Sequence, residues 1–295
     1  MNNVIFEGIA TALVTPLTDS GVDFDSMGRL IDWQIEEGID ALVICGTTGE
    51  GSTLSDEEHK ACIKFAVERS AGRVPIIAGT GSNDTAYGIQ LTQYAEEVGS
   101  DACLLVTPYY NKATQDGLVK MYDEYAKATK LPIILYNVPS RTGVNIEPKT
   151  YERLADIEGV VAIKEANSDI SKIVETMARV GDKLTMYSGN DDQIVPLMSL
   201  GAKGCISVLS NVIPKETREI CTRFFNGDVA GAAELQFKYS ELVSALFCEV
   251  NPIPVKAAVA AMGLCQSIIR SPLYEMSPDN FARLKKAMIE VGVNI

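Results

Sequence analysis

Lys164 ends the apolar run Val160-Val161-Ala162-Ile163-Lys164, whereas most other lysines lie on amphipathic stretches or in loops. Such a run reads as a buried strand, and alternation places Val160, Ala162 and Lys164 on one face with Val161, Ile163 and Glu165 on the other. A lysine in that setting carries its head out to water, pairs with a buried carboxylate, or serves as a nucleophile. The last reading has a definite chemistry. An ordinary lysine, with a pKa of ~10.4, is a neutral amine in only about one molecule in a few thousand at pH 7. An apolar surrounding disfavours the ammonium and frees a lone pair that attacks a ketone to give an imine. The protonated imine draws electrons from the adjacent carbon, so an enamine forms and adds to an aldehyde, with no metal or organic cofactor required.

That chemistry also needs groups that move protons and hold carboxylates. Tyr136, in Ile133-Ile134-Leu135-Tyr136-Asn137, ends the preceding apolar run and shares a face with Ile134. It suits a proton shuttle, or a core tyrosine with its hydroxyl at a rim. Thr47 and Thr48, in Gly46-Thr47-Thr48-Gly49-Glu50, offer hydroxyls to a substrate or satisfy a turn. Arg141, in Pro139-Ser140-Arg141-Thr142-Gly143, is a fork for two carboxylate oxygens, or a surface arginine in a turn. The single histidine, His59, removes histidine-rich metal clusters and Ser-His-Asp arrangements from consideration. Ser55 and Glu58 have capping-box spacing, so His59 is expected on the solvated side of a helix's first turns. Lys256, in Pro254-Val255-Lys256-Ala257, is similarly surrounded but reads as structural.

The elements that must position these residues follow from periodicity. Apolar, β-branched runs at 8–14, 41–45, 75–79, 103–107, 133–137, 160–164, 184–188 and 204–208 alternate with amphipathic stretches that open near Asp, Ser, Thr or Pro. Strands apolar on both faces, separated by crossover helices, indicate a parallel sheet covered all round. Eight such units fit a closed (β/α)8 TIM barrel, with an open doubly wound sheet as the alternative. The barrel is expected over residues 1–226. Residues 227–295 show no convincing strand and fit about three helices, interrupted at Asn251-Pro252-Ile253-Pro254, Ser271-Pro272 and Ser277-Pro278. In a barrel, Thr47, Tyr136, Arg141, Lys164 and Gly189 all follow or end strands, and so converge on the rim where barrel enzymes build their sites.

Composition narrows the class further. The 295 residues are 46% hydrophobic and 22% charged, with 26 basic and 39 acidic side chains and a formal charge of −13. That field disfavours nucleic acid and anionic membranes as partners, while leaving room for a small anion beside a local cation. The seven cysteines include no C-x-x-C pair, and the first residues carry neither a basic segment nor a long apolar one, so a cytoplasmic protein with reduced thiols is expected. Gly46 to Thr53 has P-loop glycine spacing, but Ser52 occupies the lysine position, and Asp84 fills the third glycine position of a dinucleotide fingerprint at Gly79. Nucleotide binding is therefore disfavoured.

Four segments in order, Gly46-Thr47-Thr48-Gly49-Glu50, Val106-Thr107-Pro108-Tyr109-Tyr110-Asn111, Leu135 to Gly143, and Ile163-Lys164-Glu165-Ala166, resemble the dihydrodipicolinate synthase group within the N-acetylneuraminate lyase-type family of Schiff-base barrels. The resemblance extends from Gly8 to Lys256. It implies condensation of pyruvate with aspartate semialdehyde toward diaminopimelate and lysine, with Lys164 forming the imine and Tyr136, Thr47 and Tyr110 relaying protons. Tyr110 would reach in from a neighbouring subunit of a homotetramer built from two tight dimers. Thr48 with the backbone of Gly189 and Ile206 would hold the pyruvate carboxylate, and Arg141 that of the aldehyde. Lysine-inhibited relatives use positions matching Ser52, Asp56, His59, Asn83, Tyr87 and Tyr109. Here Asp56 and Tyr87 depart from that pattern, so weak or absent feedback is expected. The rival readings are a sister aldolase acting on a sugar-derived aldehyde, which would favour neutral groups over Arg141, and a non-catalytic keto-acid-binding barrel, which would not need a proton relay.

Overall fold

A computed structural model describes residues 4–295. The strands β1 (Gly8–Ala12), β2 (Ala41–Ile44), β3 (Ile76–Gly79), β4 (Ala102–Val106), β5 (Ile133–Asn137), β6 (Val160–Glu165), β7 (Thr185–Ser188) and β8 (Gly204–Ser207) run parallel in sequential order and close into a barrel. All eight expected strands are present, displaced only at their ends. Closure between β1 and β8 excludes the open sheet. It occurs at paired glycines: Gly204 has φ +138, and a Cβ there would collide with the Gly8 carbonyl.

The start signals also act as read. Asp23, Ser55, Asp84, Thr114 and Asp169 accept hydrogen bonds from first-turn amides of the helices Phe24–Glu36, Asp56–Ser70, Thr85–Glu97, Gln115–Ala128 and Ile170–Val180. Pro148 and Pro214 occupy the first position of the helices Pro148–Leu154 and Pro214–Phe225. One apolar layer fills the space between strands and helices, and a smaller one fills the barrel. Inside, Phe6 stacks on Tyr187 with ring centroids 4.1 Å apart, and the Tyr187 hydroxyl donates to the Phe6 carbonyl at 2.8 Å. Phe6, just before β1, thereby fills the barrel interior against a residue that is the register partner of Lys164.

One alternation is corrected. Ile133 and Ile134 pair with Val160 and Ala162, so β6 carries a bulge that skips Val161. Val160 therefore joins the outer core and Val161 packs against the inner one, the reverse of strict alternation, whereas Ala162 faces in and Ile163 out as expected. The bulge ends before Lys164. Beyond the barrel helices, residues 227–295 form four helices where about three were expected: Val229–Lys238, Ser240–Leu246, Ile253–Ala261 and Pro278–Glu290. The extra break is a single residue, Tyr239, between the first two. No helix among the described residues is long and apolar enough to cross a membrane.

Candidate active site

Lys164 and Tyr136 are direct cross-strand partners on β6 and β5, and Lys164 pairs on its other side with Tyr187 of β7. Lys164 is 6% exposed and Tyr136 7% exposed. The Lys164 Nζ lies 4.2 Å from the centre of the Tyr136 ring, the contact a lysine makes when an aromatic face replaces water. No ion pair among the described residues includes Lys164. The carboxylate whose ionisation Lys164 favours is Asp191, and both its oxygens are engaged elsewhere: one by the Ser207 hydroxyl, the other by the amides of Val208 at 3.0 Å and Leu209 at 2.9 Å. Burial raises the Asp191 pKa, against those hydrogen bonds and the Lys164 charge.

Thr47, Tyr136 and Arg141 line one cavity of about 380 Å³, together with Cys45, Val138 and Thr142. Thr47 and Thr48 stand on the loop after β2, whose glycines serve packing. A Cβ on Gly51 would meet the Cys45 carbonyl, and one on Gly79 would approach it to 2.7 Å. The P-loop-like spacing thus reflects backbone approach, which Cys45 (φ 57) and Glu50 (φ 55) accommodate in left-handed conformations. Glu50 is held by Lys256, whose Nζ lies 2.7 Å from its Oε1 and also donates to the carbonyls of Thr15 at 2.6 Å and Ile268 at 3.1 Å. Lys256 is thereby fully partnered, as a structural lysine should be. Arg141, on the short helix Pro139–Thr142, is exposed, and its Nη2 donates to the Asn251 carbonyl at 3.0 Å.

The other expected site residues are placed unevenly. Ile206 is fully buried in the barrel interior, opposite Ala10. The Gly189 amide already donates to the Glu165 carbonyl at 2.7 Å. Tyr110 is 94% exposed, in a left-handed conformation (φ 63), and does not enter this chain's cavity. His59 is a correction. It is 6% exposed, its Nε2 lies 2.9 Å from the Gly79 carbonyl, and burial lowers its pKa. The capping box is present, but His59 shares the inward face of its helix with Cys62, Ile63, Ala66 and Ser70. That spacing of three, four, seven and eleven residues was the available signal. Ser52, Tyr87 and Tyr109 line the same cavity, whereas Asp56 and Asn83 do not. Burial, and then the neighbouring Asp56 carboxylate, push the Tyr87 hydroxyl up to about 12.

Two further groups were not read from sequence as site residues. Glu165, the outward neighbour of Lys164, is 2% exposed and accepts from Asn137 Nδ2 at 2.9 Å, the Asn167 amide at 2.8 Å and the Tyr151 hydroxyl at 3.1 Å. Burial pushes its pKa up to about 7, with those hydrogen bonds opposing. Asn137 and Glu165 are themselves register partners, so this network clamps the two strands one residue beyond the Tyr136–Lys164 pair. Asn251, from the C-terminal helical segment, donates through Nδ2 to Thr48 Oγ1 at 3.1 Å.

The sequence matches the dihydrodipicolinate synthetase family over residues 5–290. The chain belongs to that family. It is 52% identical over 293 residues to the 4-hydroxy-tetrahydrodipicolinate synthase of Acetivibrio thermocellus, covering 99% of this chain and 100% of the relative. Among solved structures, the dihydrodipicolinate synthase of Aquifex aeolicus superposes with a TM-score of 0.96 at 44% identity, over 98% of this chain and 99% of that one. The Acinetobacter baumannii enzyme, described as chloride-inhibited and complexed with pyruvate, gives a TM-score of 0.96 at 45% identity over 99% and 100% of the two chains.

Proposed function

We propose that this enzyme, a lyase, condenses pyruvate with aspartate semialdehyde through an imine on Lys164 to form 4-hydroxy-tetrahydrodipicolinate. Full-length relatives bearing that product's name favour this over a sugar-aldehyde aldolase. The observation that carries the mechanism is a buried lysine amine set against the ring of Tyr136, with no carboxylate partner among the described residues; Tyr136 in turn lines a cavity with Thr47 and Arg141.

The Nζ lone pair of the neutral amine bonds to the keto carbon. One Nζ proton and a second proton from the relay pass through Tyr136 to the keto oxygen, which leaves as water, so the imine formed carries one proton on nitrogen. Loss of a methyl proton from the resulting imine gives the enamine. Its carbon bonds to the aldehyde carbon, and the aldehyde oxygen takes a proton from the relay. The acceptor's own amine then displaces Lys164 at the imine carbon, closing the ring and freeing the lysine. Thr47 and Tyr110 complete the relay with Tyr136. Tyr110 can do so only in another copy's site, given its exposure here, which makes a homotetramer of two tight dimers part of the proposal. Thr48 and the Ile206 backbone hold the pyruvate carboxylate. Gly189, with its amide committed, contributes room: a Cβ there would lie 2.8 Å from Ala166 Cβ. Arg141, held at one nitrogen, presents the rest of its fork to the acceptor's carboxylate. The chemistry runs on the lysine without metal or organic cofactor, in the cytoplasm, and with weak or absent lysine feedback.

An acceptor panel tests the reading. Turnover of aspartate semialdehyde with pyruvate is expected, and turnover of sugar aldehydes alone would overturn it.

A further inference from the structure

Asn251 lies between the helices Ser240–Leu246 and Ile253–Ala261, outside every barrel strand, yet it touches Thr48 and Arg141, two of the residues assigned to substrate carboxylates. Its main-chain carbonyl accepts from Arg141 Nη2 at 3.0 Å, and its side-chain Nδ2 donates to Thr48 Oγ1 at 3.1 Å. Asn251 is 5% exposed and Thr48 3%. The rest of the amide does nothing comparable, because no donor among the described residues reaches the buried Asn251 Oδ1. A side chain needed only to fill space would avoid that burden, since a buried acceptor without a donor is destabilising. The bond to Thr48 is therefore what the amide is there to make.

That bond has a direction with a chemical consequence. A hydroxyl has one proton to give and lone pairs with which to accept. With Nδ2 occupying a lone pair of Thr48 Oγ1, the threonine proton is left for another acceptor. We propose that Asn251 is a positioning residue for the pyruvate half of the reaction, orienting the Thr48 hydroxyl so that it donates to the pyruvate carboxylate. This rests on the assignment of Thr48 to that carboxylate. The same residue reaches Arg141 only through its main chain, so side-chain changes at Asn251 leave the acceptor's clamp in place. The C-terminal segment supports the same loop a second time, through Lys256 and the Arg270 amide, which donates to Glu50 Oε2 at 3.1 Å.

The test compares Asn251→Ala, Asn251→Asp and Thr48→Val in steady-state assays against both substrates, with a thermal melt of each variant. Asn251→Ala frees the Thr48 hydroxyl, and KM for pyruvate rises about threefold to tenfold, as for loss of one neutral hydrogen bond. Asn251→Asp, closer in shape, is worse: its carboxylate accepts the Thr48 proton and turns it from substrate, raising KM for pyruvate on the order of 10- to 100-fold. KM for aspartate semialdehyde changes little in either, and Thr48→Val raises KM for pyruvate. A structural role alone predicts the opposite order, with Asp milder than Ala, or parallel changes in both KM values that track the melting temperature. Either result overturns the inference. If Thr48→Val raises KM for pyruvate while Asn251→Asp does not, the positioning role fails and the Thr48 assignment stands. If Thr48→Val leaves it unchanged, that assignment fails and the inference with it.

Discussion

Two lysines of this chain are buried almost equally, Lys164 at 6% exposure and Lys256 at 1%, and they do opposite things with their ammonium-bearing ends. Lys256 Nζ meets one carboxylate and two carbonyls, a set that satisfies all three of its protons. Lys164 Nζ meets the face of Tyr136, and Asp191, the acidic group that feels its charge, is engaged by Ser207 and two backbone amides. Burial alone therefore does not mark a reactive lysine. The distinguishing feature is what surrounds the nitrogen. A complete set of acceptors fixes an ammonium as a strut, whereas an aromatic face in place of those acceptors leaves a nitrogen able to form a bond.

The contrast is broken first by substitution. Lys164→Ala is expected to lower kcat/KM by at least about 10⁴-fold with the melting temperature nearly unchanged, measured by the coupled assay and calorimetry. Lys256→Met should do the reverse. It leaves Glu50 buried without its cation, costing about 3–5 kcal/mol of stability by denaturant titration, while the protein that remains folded still forms the pyruvate adduct. Replacing Glu50 with leucine in the same chain should recover part of that loss.

The smallest effect concerns Glu165, a buried carboxyl in no ion pair among the described residues. Its folded pKa of about 7 lies above the ordinary 4.5, so the folded state binds its proton more tightly than the unfolded chain does. The contribution is full below about pH 4.5 and is lost as pH rises through about 7. Glu165→Gln, which cannot ionise, should therefore gain stability relative to the parent across that window, by up to ~3 kcal/mol, in melts at pH 5 and pH 8. A pH-independent difference would show that Glu165 is held by charges other than those described.

The sequence made the barrel legible because a parallel strand covered on both faces writes itself as an unbroken apolar run, as Ile133–Asn137 and Val160–Glu165 do. Lys164 stood out for the same reason: a cation ending such a run must reach water, pair with a carboxylate or react, and the neighbouring motifs favoured the last. The bulge at Val161 was not, since one extra residue in a strand leaves no mark in an all-apolar stretch. His59 was misplaced by weighing the polar cap before the inward face that its helix continues through Cys62, Ile63 and Ala66. Asn251 lies 203 residues from Thr48, and no local pattern encodes a contact at that separation. Tyr110 was named only by resemblance, and its exposure in one chain accords with a role that needs a second.

The central claim is that one of these two buried amines, and not the other, bonds to an α-keto acid. Borohydride reduction in the presence of pyruvate, followed by peptide mass mapping, measures this directly. The predicted result is a single reduced pyruvate adduct per chain, on the peptide containing Lys164, and none on Lys256. A chain that turns over both substrates yet carries no adduct at Lys164 would contradict the account.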